Sequence, residues 1–233
     1  MTGAMPTGPV GGHAVAVRYA VPGDLPALRT FVRGLSVATR ASRFFAPVAD
    51  LPEMLAEALT HRDPLHRFLV AEAGGHDDTA GTVPAGRRIV ALAQAVRDRE
   101  AARVCDIAVV VSDGWQRRGL GRTLLRRLLD DQRREDVDAA VGEVLRHNRA
   151  MIGLARQEGF ELRRHPDDAT VVRIVRDLRH RPPPPVPASA PAAAGNRVGS
   201  SALPGCRQQG LQDRAQLPRV DRLAQQLANA AAP

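Results

Sequence analysis

The sequence of 233 residues contains no lysine, so all 33 of its basic residues are arginine. The net charge of +8 is unevenly distributed, because residues 179–233 hold seven Arg against two Asp, a net +5, which leaves +3 for residues 1–178. Absent lysine together with abundant Ala, Arg, Gly and Pro is typical of the coding bias of a GC-rich genome. The positive charge therefore does not by itself indicate a polyanionic partner.

Aromatic residues are also scarce, with one Trp, one Tyr and five Phe. Proteins that bind single-stranded nucleic acid combine clustered basic side chains with aromatic rings on which bases stack. This chain has few such rings, and its main part is only mildly basic. Nucleic acid is therefore not an expected partner.

Two cysteines, Cys105 and Cys206, are too few for a disulfide framework. No stretch reaches the ~18 consecutive apolar residues of a membrane span, and the N-terminal residues lack the basic start and apolar stretch of a signal peptide. These absences favour a reducing cytoplasm and no membrane association. His61 and His66 flank a short turn without a Cys or carboxylate at ligand spacing, so no metal site is expected.

Composition divides the chain into three parts. Residues 1–12 are rich in Gly and Pro and are predicted to be a flexible leader. Residues 13–178 have the hydrophobic and charged content of a packed domain. Residues 179–233 hold nine of the 18 prolines, four of them consecutive, and predict a disordered Pro-, Ala- and Arg-rich tail.

Within residues 13–178, hydrophobic periodicity predicts a mixture of strands and helices. Asp24 and Pro26 are expected to open the first helix, and Gly159 to close the last. The predicted helices cover roughly residues 25–36, 39–45, 50–60, 119–134 and 150–159. The predicted strands cover roughly residues 14–20, 67–73, 87–98, 104–111, 138–145, 160–165 and 170–177. The class is therefore mixed α/β.

The strongest motif is the strand VCDIAVVV (104–111), which leads through the loop QRRGLGR into a helix. Free N–H groups at a helix start bind phosphate, and Gly119 and Gly121 let the backbone approach a pyrophosphate without interference from Cβ atoms. Three arginines add positive charge: Arg117, Arg118 and Arg122. A Gly-containing loop with solvated arginines would give the same pattern. The P-loop signature is absent, and a G-x-G-x-x-G dinucleotide motif fails because position 124 is Leu.

The segment QRRGLG (116–121) resembles the Q/R-x-x-G-x-G/A motif of the GNAT acetyltransferase superfamily, at the expected junction of strand and helix. A second segment, EVLRHNRAMIGLARQEGF (143–160), resembles the family's strand, its helix that begins at Asn, and its Gly-Phe ending. With RGLSVATRASRFFAPV (33–48), these segments look like the acetyltransferase domain of bacterial protein lysine acetyltransferases. The resemblance covers about residues 13–178. It implies an α/β GNAT fold, with a mixed central sheet splayed between two parallel strands and flanked by helices.

The resemblance further implies direct acetyl transfer from acetyl-CoA to an amine, without a metal. In the family, a bulge in the strand before the loop turns N–H groups, here near Val109 and Val110, toward the acetyl carbonyl to stabilise its oxyanion. The loop amides would hold the pyrophosphate, and Asn148 would face the cofactor or fix the start of its helix. The cofactor-binding residues implied in this way are Ala108, Val109, Val110, Val111, Gln116, Arg117, Arg118, Gly119, Leu120, Gly121, Arg122 and Asn148.

Asp106 is the candidate general base. A lysine amine has an ordinary pKa near 10.4, so it is mostly charged at pH 7 and must lose a proton to attack. The acetyltransferases that the sequence resembles have Glu at this position; Asp is one methylene shorter, and a bridging water could restore its reach. Alternatively, Asp106 is a solvated or ion-paired strand residue. Many GNAT enzymes use a tyrosine as general acid, and Ala155 stands at that position here.

The predicted function is an acetyl-CoA-dependent N-acetyltransferase whose acceptors are protein lysine side chains. One alternative acceptor is a small amine, which an acidic acceptor groove would favour. The other alternative is a non-catalytic acyl-CoA-binding regulatory module in which Asp106 does not act. Cys105, next to Asp106, points to the opposite face of its strand and is expected in the core.

Overall fold

The structure, a computed structural model, describes residues 5–10, 13–74, 88–97 and 103–179. These residues form a sheet with helices on both of its faces. The helices are α1 (Leu25–Arg33), α2 (Val37–Phe44), α3 (Glu53–Thr60), α4 (Leu120–Arg134) and α5 (Arg149–Gln157). The strands are β1 (Met5–Val10), β2 (His13–Tyr19), β3 (His66–Ala73), β4 (Arg88–Arg97), β5 (Val104–Val111), β6 (Ala139–Leu145), β7 (Glu161–Arg164) and β8 (Val171–Asp177).

The strands follow the order β1-β2-β3-β4-β5-β6-β8-β7 across the sheet. Neighbouring strands are antiparallel except β5 and β6, which are parallel and joined through α4. A parallel pair needs such a crossover connection, whereas antiparallel neighbours can be joined by a turn. The mixed α/β class and the splayed sheet predicted from the sequence are confirmed.

Strand alternation divides the core into two layers. On one face, α4 and α5 pack against residues such as Cys105 and Ile107 of β5. On the other face, α1, α2 and α3 pack against Val110 of β5 and its neighbours. Asp106 and Ala108 lie on this second face, because successive strand residues point to opposite sides. The prediction that Cys105 is a core residue is confirmed, since its side chain is fully buried.

Local capping explains where the helices begin. The Oγ atom of Ser36 accepts a hydrogen bond from the N–H of Thr39 at 3.2 Å, so α2 starts at Val37, two residues earlier than the sequence predicts. Helix α3 starts at Glu53, three residues later than the sequence predicts, and Pro52 occupies its N-cap position instead of its first turn. Helix α4 starts at Leu120, one residue after the predicted start, because Gly119 adopts a left-handed conformation at the N-cap.

The N-terminal leader is the clearest difference from the predicted organisation. Met5–Val10 forms strand β1, which pairs antiparallel with β2, so strand structure begins before His13. Backbone hydrogen bonds to β2 form this edge strand. Its Gly- and Pro-containing sequence has low intrinsic strand propensity, so the strand could not be predicted locally. Of the predicted tail (179–233), residues 180–233 lie outside the described residues. No helix within the described ranges is long and apolar enough to span a membrane.

Candidate active site

The parallel strands β5 and β6 part in the middle of the sheet. Their backbone pairing covers only residues 104–106 of β5 and 139–141 of β6. Gly142 lies where they separate, and a Cβ atom on it would be 2.9 Å from the carbonyl oxygen of Ile107. Among the described residues, the edge of β5 beyond Asp106 has no strand partner on the β6 side. Its backbone groups can therefore bind a ligand there.

The bulge predicted near Val109 and Val110 is wrong. Strand β5 pairs with β4 in one continuous register along residues 105–111 and 91–97. A bulge would shift that register by one residue. The opening between the strands begins instead where the pairing of β5 with β6 ends, after Asp106 and Val141.

The loop after β5 has the backbone geometry of an anion site. Arg117 (φ 61°) and Gly119 (φ 83°) both adopt left-handed conformations, and α4 begins directly afterwards at Leu120. The first N–H groups of α4 have no partners within the helix and lie at the positive end of its dipole. This arrangement favours a phosphate, and the conformation at position 119 is one that glycine adopts without steric cost.

Side chains hold this loop against α2. The Nε2 atom of Gln116 donates hydrogen bonds to the carbonyl oxygen of Val111 (3.1 Å) and to Oγ1 of Thr39 (3.2 Å). The Oδ1 atom of Asp113 accepts hydrogen bonds from the hydroxyls of Ser36 and Thr39, both at 2.7 Å. Gln116 therefore shapes the loop, and its side-chain amide is already engaged within the protein.

The three loop arginines have different environments. Arg117 lines the cavity beside the loop. The Arg118 guanidinium lies over the ring of the buried Trp115, 5.2 Å from its centroid. Arg122 lines the same cavity but is ion-paired with the buried Glu158. Of the three, Arg117 is thus the best placed to reach a phosphate with its side chain.

A groove of about 840 Å³ runs from the loop toward the parting strands, between α2 and α5. We call it the cofactor groove. Nine of the predicted cofactor-binding residues line it: Val109, Val110, Val111, Gln116, Arg117, Gly119, Gly121, Arg122 and Asn148. Three others do not: Arg118 lies on Trp115, the side chain of Leu120 is buried in the core, and Ala108 lines a neighbouring space.

That neighbouring space, which we call the acceptor compartment, is a cavity of about 70 Å³ between β5, β6 and α2. Asp106, Ala108 and Glu143 line it. Five residues line both the compartment and the cofactor groove, and so mark the junction between them: Ser42, Arg43, Val109, Asn148 and Met151.

Asp106 is the last residue of β5 that pairs with β6, and its carboxyl group lines the acceptor compartment. The pKa of this carboxyl is raised from its ordinary value to about 7, mainly by burial and in addition by the negative charge of Glu143. Arg43 and Arg173 act in the opposite direction and favour the charged form. A carboxylate with this pKa can accept a proton near neutral pH.

The family model for the acetyltransferase (GNAT) family matches residues 35–160, more than half of the chain. The chain belongs to the GNAT family of acetyltransferases. It is 30% identical over 161 residues to the acetyltransferase PA5475 of Pseudomonas aeruginosa, an alignment that covers 69% of this chain and 82% of that protein. The GNAT family match and this relative both support transferase activity.

Solved GNAT structures share the fold. The crystal structure of the GNAT domain of S. lividans PAT superposes with a TM-score of 0.63 at 24% identity, covering 75% of this chain and 96% of that domain. The structure of yncA, a putative acetyltransferase from Salmonella typhimurium with its cofactor acetyl-CoA, superposes with a TM-score of 0.55 at 20% identity. That superposition covers 74% of this chain and 99% of yncA.

The GNAT site contains two charged residues that sequence reasoning missed, Arg43 and Glu143. Oε1 of Glu143 accepts hydrogen bonds from Nη2 of Arg173 at 3.2 Å and lies 3.1 Å from Nε2 of His165. Glu143 and Asp106 share one face of the sheet, because Asp106 pairs with Val141, two residues before Glu143. The usable signal was an acidic residue inside the otherwise apolar strand AAVGEVL.

The second GNAT motif has a mainly structural role in this chain. Asn148 caps α5, since its Oδ1 atom accepts a hydrogen bond from the N–H of Met151 at 3.1 Å. Ala155 is fully buried in the core. Tyr19 donates its hydroxyl to Oδ2 of Asp131 at 2.6 Å, against the face of the sheet opposite to Asp106. Ala155, which has no acidic group, and Tyr19, which lies on the other face of the sheet, therefore cannot protonate a leaving thiolate.

Among the described residues, no group of three or more His, Cys, Asp and Glu side chains is arranged to hold a metal ion.

Proposed function

We propose that this GNAT acetyltransferase transfers the acetyl group of acetyl-CoA directly to the side-chain amine of lysine in proteins. The observation that carries the proposal is the Asp106 carboxyl, with its pKa of about 7, at the point where β5 and β6 part. A base whose pKa lies near the working pH combines the right protonation state with sufficient driving force.

The cofactor groove suits acetyl-CoA on three counts. The helix start after Gly119 offers N–H groups to a pyrophosphate, and Arg117 adds charge beside it. The groove then continues to the unpaired edge of β5, where backbone N–H groups can stabilise a negative oxygen. Its end, beside Val109, is next to the acceptor compartment.

In the proposed reaction, Asp106 takes a proton from the acceptor ammonium as the amine attacks. A bond forms between the amine nitrogen and the acetyl carbon, and the bond between that carbon and sulfur breaks, with its electron pair going to sulfur. As the amide forms, its nitrogen releases a second proton to solvent, so the products are the acetylated amine, CoA as a thiolate, protonated Asp106 and that released proton. General-base assistance of this kind typically contributes ~10²- to 10⁴-fold.

Lysine as the acceptor is supported by the resemblance of residues 33–48 to protein lysine acetyltransferases and by the likeness of the fold to the GNAT domain of S. lividans PAT. The acceptor compartment is not simply acidic, since Arg43 lines it beside Asp106 and Glu143. A strongly acidic compartment would favour a small polyamine.

The test is the transfer of labelled acetyl from acetyl-CoA to three kinds of acceptor: a panel of proteins, matched peptides with Lys or Arg at one position, and small polyamines. Because the chain has no lysine, labelling of its own lysine side chains cannot contribute to the signal. We expect label on proteins and on the Lys peptides only. Transfer to polyamines alone would replace the acceptor, and binding of acetyl-CoA without any transfer would indicate a regulatory module.

A further inference from the structure

Arg43, in the last turn of α2, has an unusual environment for a cation. Its Nη2 atom donates a hydrogen bond to Oε1 of Gln94 at 2.6 Å, and its Nε atom is buried with no hydrogen-bond partner. Among the described residues, no carboxylate lies within ion-pair distance of Arg43, although the Asp106 charge does act on it. Burial lowers the pKa of Arg43 to about 10, which leaves the guanidinium charged at neutral pH.

Burying a charge without a direct counter-ion is costly. Arginines kept in such a position are expected to meet an anionic group during function. Arg43 also lines both the cofactor groove and the acceptor compartment. The acyl carbon must be attacked at this junction, because the thioester enters from the groove and the amine from the compartment.

Of the five residues at the junction, Arg43 alone carries a charge. Val109 and Met151 are apolar, and Asn148 uses its Oδ1 atom to cap α5. The Ser42 hydroxyl can donate a hydrogen bond but has no charge. A negative charge that develops on sulfur at this point would therefore be met by the Arg43 guanidinium.

We propose that Arg43 stabilises the CoA thiolate that leaves during acetyl transfer. This inference rests on the proposed function for its place in the reaction. Before transfer, ionised Asp106 acts on Arg43 from beyond ion-pair distance. When Asp106 takes the proton from the amine it becomes neutral, and the carbon–sulfur bond breaks with its electron pair on sulfur. The negative charge thus moves from the carboxylate to the thiolate at the junction that Arg43 lines.

This role fits the absence of a general acid for the leaving group. Ala155 stands where many GNAT enzymes have a tyrosine, and the Tyr19 hydroxyl is bonded to Asp131. A thiolate needs no proton to leave, because a thiol is a fairly strong acid, with an ordinary pKa of ~8.5. A fixed positive charge nearby makes it a still better leaving group.

Other charges also act on a thiolate at the junction. Those of the acceptor compartment and the cofactor groove are Arg43, Asp106, Asp113, Arg117, Arg122, Glu143 and Arg149. Asp106 and Glu143 oppose ionisation of the thiol, so the effect of Arg43 is best measured as a difference between variants.

The experiment measures the pKa of the thiol of CoA bound to the full-length protein, from the ultraviolet absorbance of the thiolate as a function of pH. The same titration with the methyl thioether of CoA, which has no ionisable sulfur, subtracts the signal of the protein. In Arg43→Met we expect a thiol pKa higher than in the wild type by ~1–3, the usual effect of an opposite charge within about 4–6 Å. Arg43→Lys keeps the charge and should retain a low thiol pKa.

Arg40→Met is the matched control. Arg40 lies one turn earlier on α2 and donates its hydrogen bonds to the carbonyl oxygens of Arg33 and Leu35. The Arg40→Met variant removes one positive charge from the same helix, as Arg43→Met does, but it should leave the pKa of the CoA thiol unchanged. Circular dichroism of each variant checks that the fold is retained.

An equal thiol pKa in the wild type and Arg43→Met overturns the inference. The inference is also overturned if Arg43→Met keeps full acetyl transfer and loses only transfer from succinyl-CoA, whose acyl chain ends in a carboxylate. Arg43 would then bind that carboxylate and not the leaving thiolate. Because the titration needs only CoA, it gives its answer even if protein lysine proves not to be the acceptor. The two proposals can therefore fail separately.

Discussion

Asp106 shows how a single residue acquires its chemistry from its surroundings. Its carboxyl lies where a buried sheet face meets a cavity, so burial disfavours its charged form and is the main reason that its pKa is raised to about 7. Glu143 adds repulsion from the neighbouring strand, while Arg43 and Arg173 offset part of both effects. Below pH ~7 the carboxyl is mostly protonated and cannot act as a base. Above it the carboxylate predominates, so the rate should rise with pH through this range.

Replacing Asp106 with Asn should lower kcat by ~10²- to 10⁴-fold, while the Kd for acetyl-CoA changes little. Asn keeps the size and hydrogen-bonding shape of Asp but cannot accept a proton. Higher pH should partly rescue the variant, because more of the acceptor is then neutral. Asp106→Glu should keep or increase activity, since the resembled acetyltransferases have Glu here. Initial rates across pH, with calorimetric titration of acetyl-CoA, measure both quantities.

The control for this prediction is Asp130→Asn, on the exposed surface of α4, where Asp130 pairs with Arg133 at 2.7 Å. It removes one acidic group far from the groove and should leave the pH profile unchanged. If Asp106→Asn retained the wild-type kcat at pH 7, the carboxylate would be structural and the base would have to be another group, with Glu143 the next to test.

At the scale of the element, the start of α4 carries the cofactor site. Gly121 lies in the first turn of α4, where a Cβ atom would meet the side chains of Leu154 and Val111 at 3.6 Å, an ordinary contact. Gly121→Asp should therefore fold, but its negative charge at the helix start would repel a pyrophosphate. We expect loss of acetyl-CoA affinity in a calorimetric titration.

Gly23→Asp is the matched control for this variant. Gly23 has no atom within 4 Å of an added Cβ and lies in the turn before α1, so acetyl-CoA affinity should stay unchanged. Normal affinity in Gly121→Asp would remove the phosphate-loop assignment. Gly119 is a less informative target, because its φ of 83° would strain any other residue and mix a conformational effect with the electrostatic one.

A second prediction at this scale concerns Gly142, at the point where β5 and β6 separate. Gly142→Ala would bring a Cβ atom to 2.9 Å from the Ile107 carbonyl oxygen, so backbone must shift. We expect a loss of ~1–3 kcal/mol in the free energy of unfolding, as for other overpacked sites. Gly153 lies in the middle of α5, and no atom lies within 4 Å of a Cβ added there. Gly153→Ala should therefore increase the free energy of unfolding by up to ~1 kcal/mol, because alanine has the higher helix propensity. Thermal denaturation of both variants compares them, and equal melting temperatures would contradict the close approach.

What could be read from the sequence follows from how local each signal is. The loop from Gln116 to Gly121 was predicted because a strand, two glycines and a helix start are neighbours in the chain. Arg43 and Glu143 were missed because strand register and the seating of α2 bring them to Asp106 from distant segments. The predicted bulge was wrong for the same reason, since the register of β4 against β5 is a long-range property.

At the scale of the whole molecule, the last strand closes the described domain. Leu178 is buried, and its N–H donates a hydrogen bond to the carbonyl oxygen of Asp138 at 2.7 Å. The Arg179 guanidinium pairs with Asp177 at 2.9 Å. The sequence after Arg179 has few apolar side chains that could add to a core, and its prolines predict an extended chain. Residues 5–179 should therefore contain everything needed for folding and for binding acetyl-CoA.

A chain that ends at Arg179 should keep the melting temperature and the acetyl-CoA affinity of the full chain. A chain that ends at Arg176 is the informative contrast, because it loses the buried Leu178 and its hydrogen bond and should melt several degrees lower. Differential scanning calorimetry and titration with acetyl-CoA compare the three proteins. If ending the chain at Arg179 lowered the melting temperature by ~10 °C, several kcal/mol for a domain of this size, residues 180–233 would have to pack against the domain. The boundary at Arg179 would then be wrong.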